Sequence, residues 1–274
     1  MTHPRSAIYA LLAVLVTLPS TSSATCTPEV ALAQVVLEQK VVVLGELHGT
    51  QETPRFAGEY ACVLANGTQD VVLALEIPEV EQSRISTYIE SQGSLVDSSA
   101  LVQGDFWNRP EHRQDGRSSG AMVQLIERVR QLRREGRRLS VIAIDGKRGS
   151  LKRDAAMAQI IRDLLQAKPL TKVIALVGNV HAIKDRGAFF EKDYESLAFL
   201  LSDLLPLTLN VLPKRGYTWV CIEVCGSKKI TPQAWLAGRS PGMYIGEGPD
   251  AVPRYHGTIV LEEARASPPA RTRE

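Results

Sequence analysis

Four short polar clusters each follow an apolar, β-branched run: Gly45-Glu46-Leu47-His48-Gly49, Leu75-Glu76-Ile77-Pro78, Ile144-Asp145-Gly146 and Gly178-Asn179-Val180-His181-Ala182. Glu46 and His48 are two residues apart, so an extended backbone through them puts both side chains on one side. There the carboxylate can orient the imidazole, leaving the other ring nitrogen to act as a base on water. Glu76 can hold the same imidazole or the water, while His181 and Asn179 can donate to a developing oxyanion. Glu46, His48, Glu76 and His181 also have the ligand types of a divalent metal site with an open position. Each residue alone has a structural reading. Glu46 or His48 can cap the next helix, Asp145 can be a turn residue, and Arg153 and Asp154 can form a local pair at a helix start. His112 reads as a surface residue and His256 as part of a late strand. The chemistry rests on convergence, because ionisable groups beside buried strands must be paired or used.

That convergence needs a particular framework. The runs 41–44, 71–75, 139–144 and 173–177 read as strands buried on both faces. Helical patterns over 28–39, 53–66, 78–90, the stretch ending at Glu135, and 154–166 alternate with them. Alternation predicts an α/β fold, mainly a parallel sheet with helices on both faces. Functional groups then collect outside the carboxyl ends of the strands. The last third has the runs 208–213, 217–224 and 256–261 without long helices between the later ones, predicting strands that extend the sheet, partly antiparallel, toward the C-terminus. The stretch 91–117 is irregular and reads as an insertion or lid, with Phe106 and Trp107 as lining or core aromatics. The expected organisation is a signal peptide over 1–24, a single domain over 25–263 and a flexible tail over 264–274.

The composition is that of a globular chain, 44% hydrophobic and 23% charged, with a net charge of +2. That balance supplies no bulk attraction for nucleic acid, and the arginines between Glu127 and Arg138 read as a solvated helix face. At the N-terminus Arg5 precedes the apolar run 7–18 and a small, polar stretch with Ser22-Ser23-Ala24 as a cleavage site. The apolar run is shorter than the ~18–20 residues a membrane span needs. Thr25 before Cys26 is a poor lipobox residue, so a periplasmic or secreted protein is expected rather than a lipid-anchored one. Four cysteines suit that compartment. Cys26 and Cys62 can meet, whereas Cys221 and Cys225 are too far apart in an extended run and would need a turn to pair.

The segment Val43-Leu44-Gly45-Glu46-Leu47-His48-Gly49-Thr50-Gln51-Glu52 resembles the opening motif shared by the erythromycin esterase, ChaN haem-uptake and TIKI proteins. Glu76 is similar to that group's second acidic position, Arg153-Asp154-Ala155-Ala156-Met157-Ala158 to its helix start, and Gly178-Asn179-Val180-His181-Ala182 to its late histidine motif. The likeness runs from Val41 to Ala182. For the esterase branch it implies opening of a macrolide lactone by water activated at His48, with Glu76 as partner and His181 and Arg153 in support. For the TIKI branch it implies a metal-dependent protease with Glu46, His48, Glu76 and His181 as ligands and a peptide substrate. For the ChaN branch, whose size and compact insertion this chain looks closer to, it implies haem binding, with no haem-ligand motif to carry over. The resulting expectation is an exported hydrolase, with or without a divalent metal. The alternative is a haem-binding iron-uptake protein.

Overall fold

The computed structural model describes residues 25–147, 149–246 and 253–271. The expected signal peptide lies outside them. Nine strands are described: β1 (Val41–Glu46), β2 (Val71–Pro78), β3 (Leu139–Asp145), β4 (Lys172–Gly178), β5 (Leu207–Pro213), β6 (Tyr217–Ile222), β7 (Val224–Lys229), β8 (Gly242–Ile245) and β9 (Gly257–Leu261). Seven of them form one sheet in the order β3-β2-β4-β1-β5-β9-β8, parallel except for the edge strand β8, which runs antiparallel to β9. The central strands carry continuous apolar side chains because both their faces are covered. Val42 and Leu44 face one core with Phe56, Ile85 and Leu125, which belong to α2 (Glu52–Leu64), α3 (Gln82–Glu90) and α5 (Gly120–Arg134). Val41 and Val43 face the other, with Met157 and Ile161 of α6 (Arg153–Ala167) and Leu197 of α7 (Leu197–Leu200). The expected α/β architecture with helices on both faces is what the chain adopts.

Several expectations change. The run 217–224 does not extend the sheet. The outer side of β5 is taken by β9, so β6 pairs with β7 in a separate antiparallel hairpin. In that hairpin Cys221 stands opposite Cys225, and the two form a disulfide across a turn where Glu223 has φ 58°. The turn that an extended reading lacked is therefore present. Cys26 and Cys62 form the second disulfide. The helix expected over 28–39 shrinks to α1 (Gln34–Glu38), because the disulfide and the Glu29–Arg55 ion pair hold the preceding segment against α2. The last described residues are not a loose tail. Gln51 donates its amide to the Arg265 carbonyl, Ser267 donates its own to the Gly49 carbonyl, and Thr50 and Ser119 bridge to Ala266 and Pro269.

Candidate functional site

The site grows from the adjacent ends of β2, β4 and β1. Strand β1 stops at Glu46, two residues short of His48, so the two do not share an extended face and a turn instead carries His48 back over Glu46. His48 Nδ1 then lies 2.9 Å from Glu46 Oε1. A carboxylate only accepts, so Nδ1 carries the proton and Nε2 holds the lone pair in the neutral ring. Gly49 makes the turn possible. Its φ is 76°, and a Cβ there would lie 2.1 Å from the Trp219 carbonyl oxygen. Glu76 sits in a register irregularity of β2, between Leu75 and Pro78, which re-aims its carboxylate. Its Oε2 accepts from the Gly178 amide at 2.6 Å and lies 3.5 Å from His48 Nε2, and its Oε1 lies 3.7 Å from His181 Nε2. The two histidines thus flank one buried carboxylate.

His181 lies in the short 3-10 turn Asn179–Ala182 after β4. Arg153 donates to its Nε2 at 2.8 Å, and Nδ1 is 2.7 Å from Asp154 Oδ1. Since guanidinium only donates, Nε2 accepts and Nδ1–H donates to Asp154. Tyr194 donates its hydroxyl to the other Asp154 oxygen at 2.8 Å. Both ring nitrogens of His181 are therefore engaged. Among the described residues His48 Nε2 has no hydrogen bond, and the His48 side chain is 22% exposed.

Arg153 reaches Glu76 at 2.6 Å and Asp145 at 2.8 Å. Asp145, which read equally as a turn residue, is part of the network. Asp154, which read as a local partner of Arg153, instead holds His181 and accepts from the Leu197 amide. Two further residues of the network escaped the sequence reading. Arg117 donates to Glu76 at 3.2 Å and to Asp145 at 2.6 Å, and Asp115 pins its other edge at 2.7 Å. Both lie at the end of the irregular stretch. The only local hint is a glycine between opposite charges just before the Ser119 N-cap, with Gly116 at φ 85° packed on Gly49. Phe106 and Trp107 of that stretch are buried in the core and do not line the cleft. His112 is exposed, and His256 is bonded to Thr208 within the sheet.

The electrostatics follow from this packing. Burial opposes ionisation of Glu76, but the positive charges of His48, His181, Arg117 and Arg153 outweigh it and hold the carboxyl at about 2. Burial lowers the His48 pKa, yet the Glu46 hydrogen bond and the charges of Glu46 and Glu76 prevail, and the net shift is upward. Asp145, between two guanidiniums, is held below the usual carboxylate range against its burial.

A cleft of about 550 Å³ opens over these groups. Glu46, His48, Asn179 and His181 line its floor, and Leu212, Val220, Ile230 and Leu236 line its apolar side. The Asn179 side-chain amide has no hydrogen bond among the described residues. The expected metal does not fit this donor set. Glu76 already accepts from Arg153, Arg117 and the Gly178 amide, both nitrogens of His181 are engaged, and the guanidiniums would repel a cation. Among the described residues no three His, Cys, Asp or Glu side chains are arranged to hold a metal ion. At His48 Nε2 the approach of a haem iron is crowded, since Glu76 Oε2 lies 3.5 Å from that nitrogen. No helix among the described residues is long and apolar enough to cross a membrane.

No family model matches the sequence, and neither does any curated protein. Solved structures do match the fold. An erythromycin esterase, a histidine-to-asparagine variant in its open conformation, superposes with a TM-score of 0.62 at 11% identity, over 84% of this chain and 92% of that one. A protein from Bacillus cereus gives 0.54 at 10% identity, over 87% and 92%. A succinoglycan biosynthesis protein gives 0.52 at 10% identity, over 85% and 90%. The chain shares the fold of these proteins over most of its length.

Proposed function

We propose that this chain is an exported hydrolase of small-molecule esters or lactones, using water activated by His48 without a metal ion. One observation carries the reading. Of the four ring nitrogens of His48 and His181, His48 Nε2 alone lacks a hydrogen bond among the described residues, and it belongs to a ring held from behind by Glu46 at the floor of a cleft. Groups 3.5 Å apart, as Nε2 and Glu76 Oε2 are, can share one water. Nε2 takes a proton as that water attacks the substrate carbonyl. The oxyanion that forms accepts from the unpartnered Asn179 amide, and the imidazolium returns the proton to the departing alkoxide. Arg153 and Arg117 keep Glu76 ionised and fixed, and Asp154 fixes His181. The esterase among the proteins sharing this fold supports an ester-type substrate. The two disulfides support export, since such bonds persist in oxidising compartments.

The test is a panel of p-nitrophenyl esters and macrolactones assayed with the wild-type chain and with His48→Ala. Removal of the base is expected to lower kcat/KM by roughly 10²–10⁴-fold while the circular dichroism spectrum stays unchanged. Equal turnover by the two proteins would rule out His48 as the base.

A further inference from the structure

The carboxylates of the site are matched by Arg153, Arg117 and the two histidines, but two cations lining the same cleft, Lys228 and the exposed Lys229 next to it, have no such match among the described residues. Lys228 lies on β7 directly opposite Thr218 of β6, so both side chains stand on one face of the hairpin. Thr218 lines the cleft and donates its hydroxyl to the His48 carbonyl, which ties that face to the catalytic turn. The amide of Trp219 bonds the Gly49 carbonyl at 2.9 Å and anchors the same edge. Lys228 also lines the cleft and is partly buried. Its ammonium has neither an ion pair nor a hydrogen bond among the described residues. A cleft-lining ammonium without a protein partner is free to pair with an anionic group that enters the cleft. Val220 and Ile230, on the same face of the hairpin, give an apolar surface beside it.

We infer that Lys228 receives a carboxylate of the substrate, so that the molecule taken by the cleft is an amphiphilic acyl compound with an apolar body and one anionic end. The inference deepens the hydrolase reading and rests on it for the position of the scissile bond. Binding of the anionic end, however, can be tested without any turnover.

The experiment titrates sodium octanoate and 1-octanol, neither of which contains a hydrolysable bond, into the wild-type chain and into Lys228→Ala and Lys228→Arg, with dissociation constants from ligand-observed NMR. Wild type is expected to prefer octanoate by about tenfold, the scale of one charge-assisted hydrogen bond at a partly exposed site. Lys228→Ala should bring the two ligands within about twofold of each other, leaving only apolar burial common to both. Lys228→Arg, which keeps the charge, should retain the preference. Equal binding by wild type, absence of binding, or a preference that survives in Lys228→Ala would overturn the assignment. Because the readout needs no chemistry, an inactive His48→Ala protein that still prefers octanoate would separate this result from the fate of the hydrolase reading.

Discussion

Glu46 and Glu76 lie near the same imidazole yet do different work. Glu46 contacts Nδ1 and raises the His48 pKa, while Glu76 lies 3.5 Å from Nε2, close enough for one water at their side to contact both. A raised pKa means that the neutral base appears only above pH 6.5, the ordinary histidine value, so the acidic limb of kcat/KM should lie on the alkaline side of that value. Glu46→Gln keeps the shape but removes the charge. The limb should then move to lower pH while the plateau rate falls, because the amide no longer enforces the Nδ1–H tautomer. A pH–rate profile from 5 to 9 reads both effects, and an upward move of the limb would contradict the assignment. Glu76 acts on stability. Its folded pKa of about 2 lies below the ordinary 4.5, so its contribution is present above 4.5 and is lost as pH falls from there toward 2. The difference corresponds to about 3 kcal/mol at neutral pH. Urea midpoints of wild type and Glu76→Gln should therefore differ at pH 7 and converge toward pH 2. A constant gap would mean that Glu76 is not ionised in the folded chain.

The elements explain why such residues meet. Parallel strands β2, β4 and β1 are neighbours, so their carboxyl ends form one rim, and Glu46 stands in register with Gly178. Gly178 is the tightest point of that rim. A methyl group there would lie 2.8 Å from His48 Nε2 and 3.5 Å from Glu76 Oε2. Gly178→Ala must push the imidazole aside, and overpacking of this kind costs about 1–3 kcal/mol. The proposed mechanism adds a kcat loss of roughly 100-fold, since displacement of the reacting nitrogen removes alignment as well as volume. Wild-type kcat in this variant would show that Nε2 is not the working nitrogen. This rim was legible from sequence because buried parallel strands are continuous apolar runs and each ends in its own polar cluster. The partners that come from loops were not. Arg117 meets Glu76 from 41 positions away, and no local periodicity encodes such a contact. The β6–β7 hairpin was misplaced for a related reason. An apolar run announces a strand, but which strand it pairs with depends on which edges are already taken.

At the scale of the whole molecule, both ends of the described chain grip α2, the helix that follows the His48 turn. The N-terminal segment does so through the Cys26–Cys62 disulfide and the Thr27 amide on Glu59. The C-terminal segment does so at the helix start, where Arg265 donates its amide and its guanidinium to the buried Glu52. One atom joins this grip to the site. The Gly49 carbonyl accepts from Trp219 of the hairpin and from Ser267 of the C-terminal segment, immediately after His48. Polar, proline-containing composition reads as a tail because such residues build no core of their own. What it conceals is that backbone amides can bind a neighbouring turn whatever their side chains. Removal of residues 264–274 should therefore do what removal of a loose tail does not. Loss of these hydrogen bonds and of the Arg265–Glu52 pair, which leaves Glu52 buried without its partner, should lower stability by roughly 2–4 kcal/mol, read as a fall in the urea midpoint. Under the proposed mechanism the surviving folded fraction should also lose kcat, because the turn that aims His48 keeps only the hairpin as a brace. Arg265→Ala separates the two effects: it removes the ion pair to Glu52 while leaving the Ser267 amide on Gly49, so stability should fall with kcat retained. If the truncated chain matched wild type in both midpoint and kcat, the turn would be held by β1 and the hairpin alone, and the C-terminal segment would be a passenger on the surface.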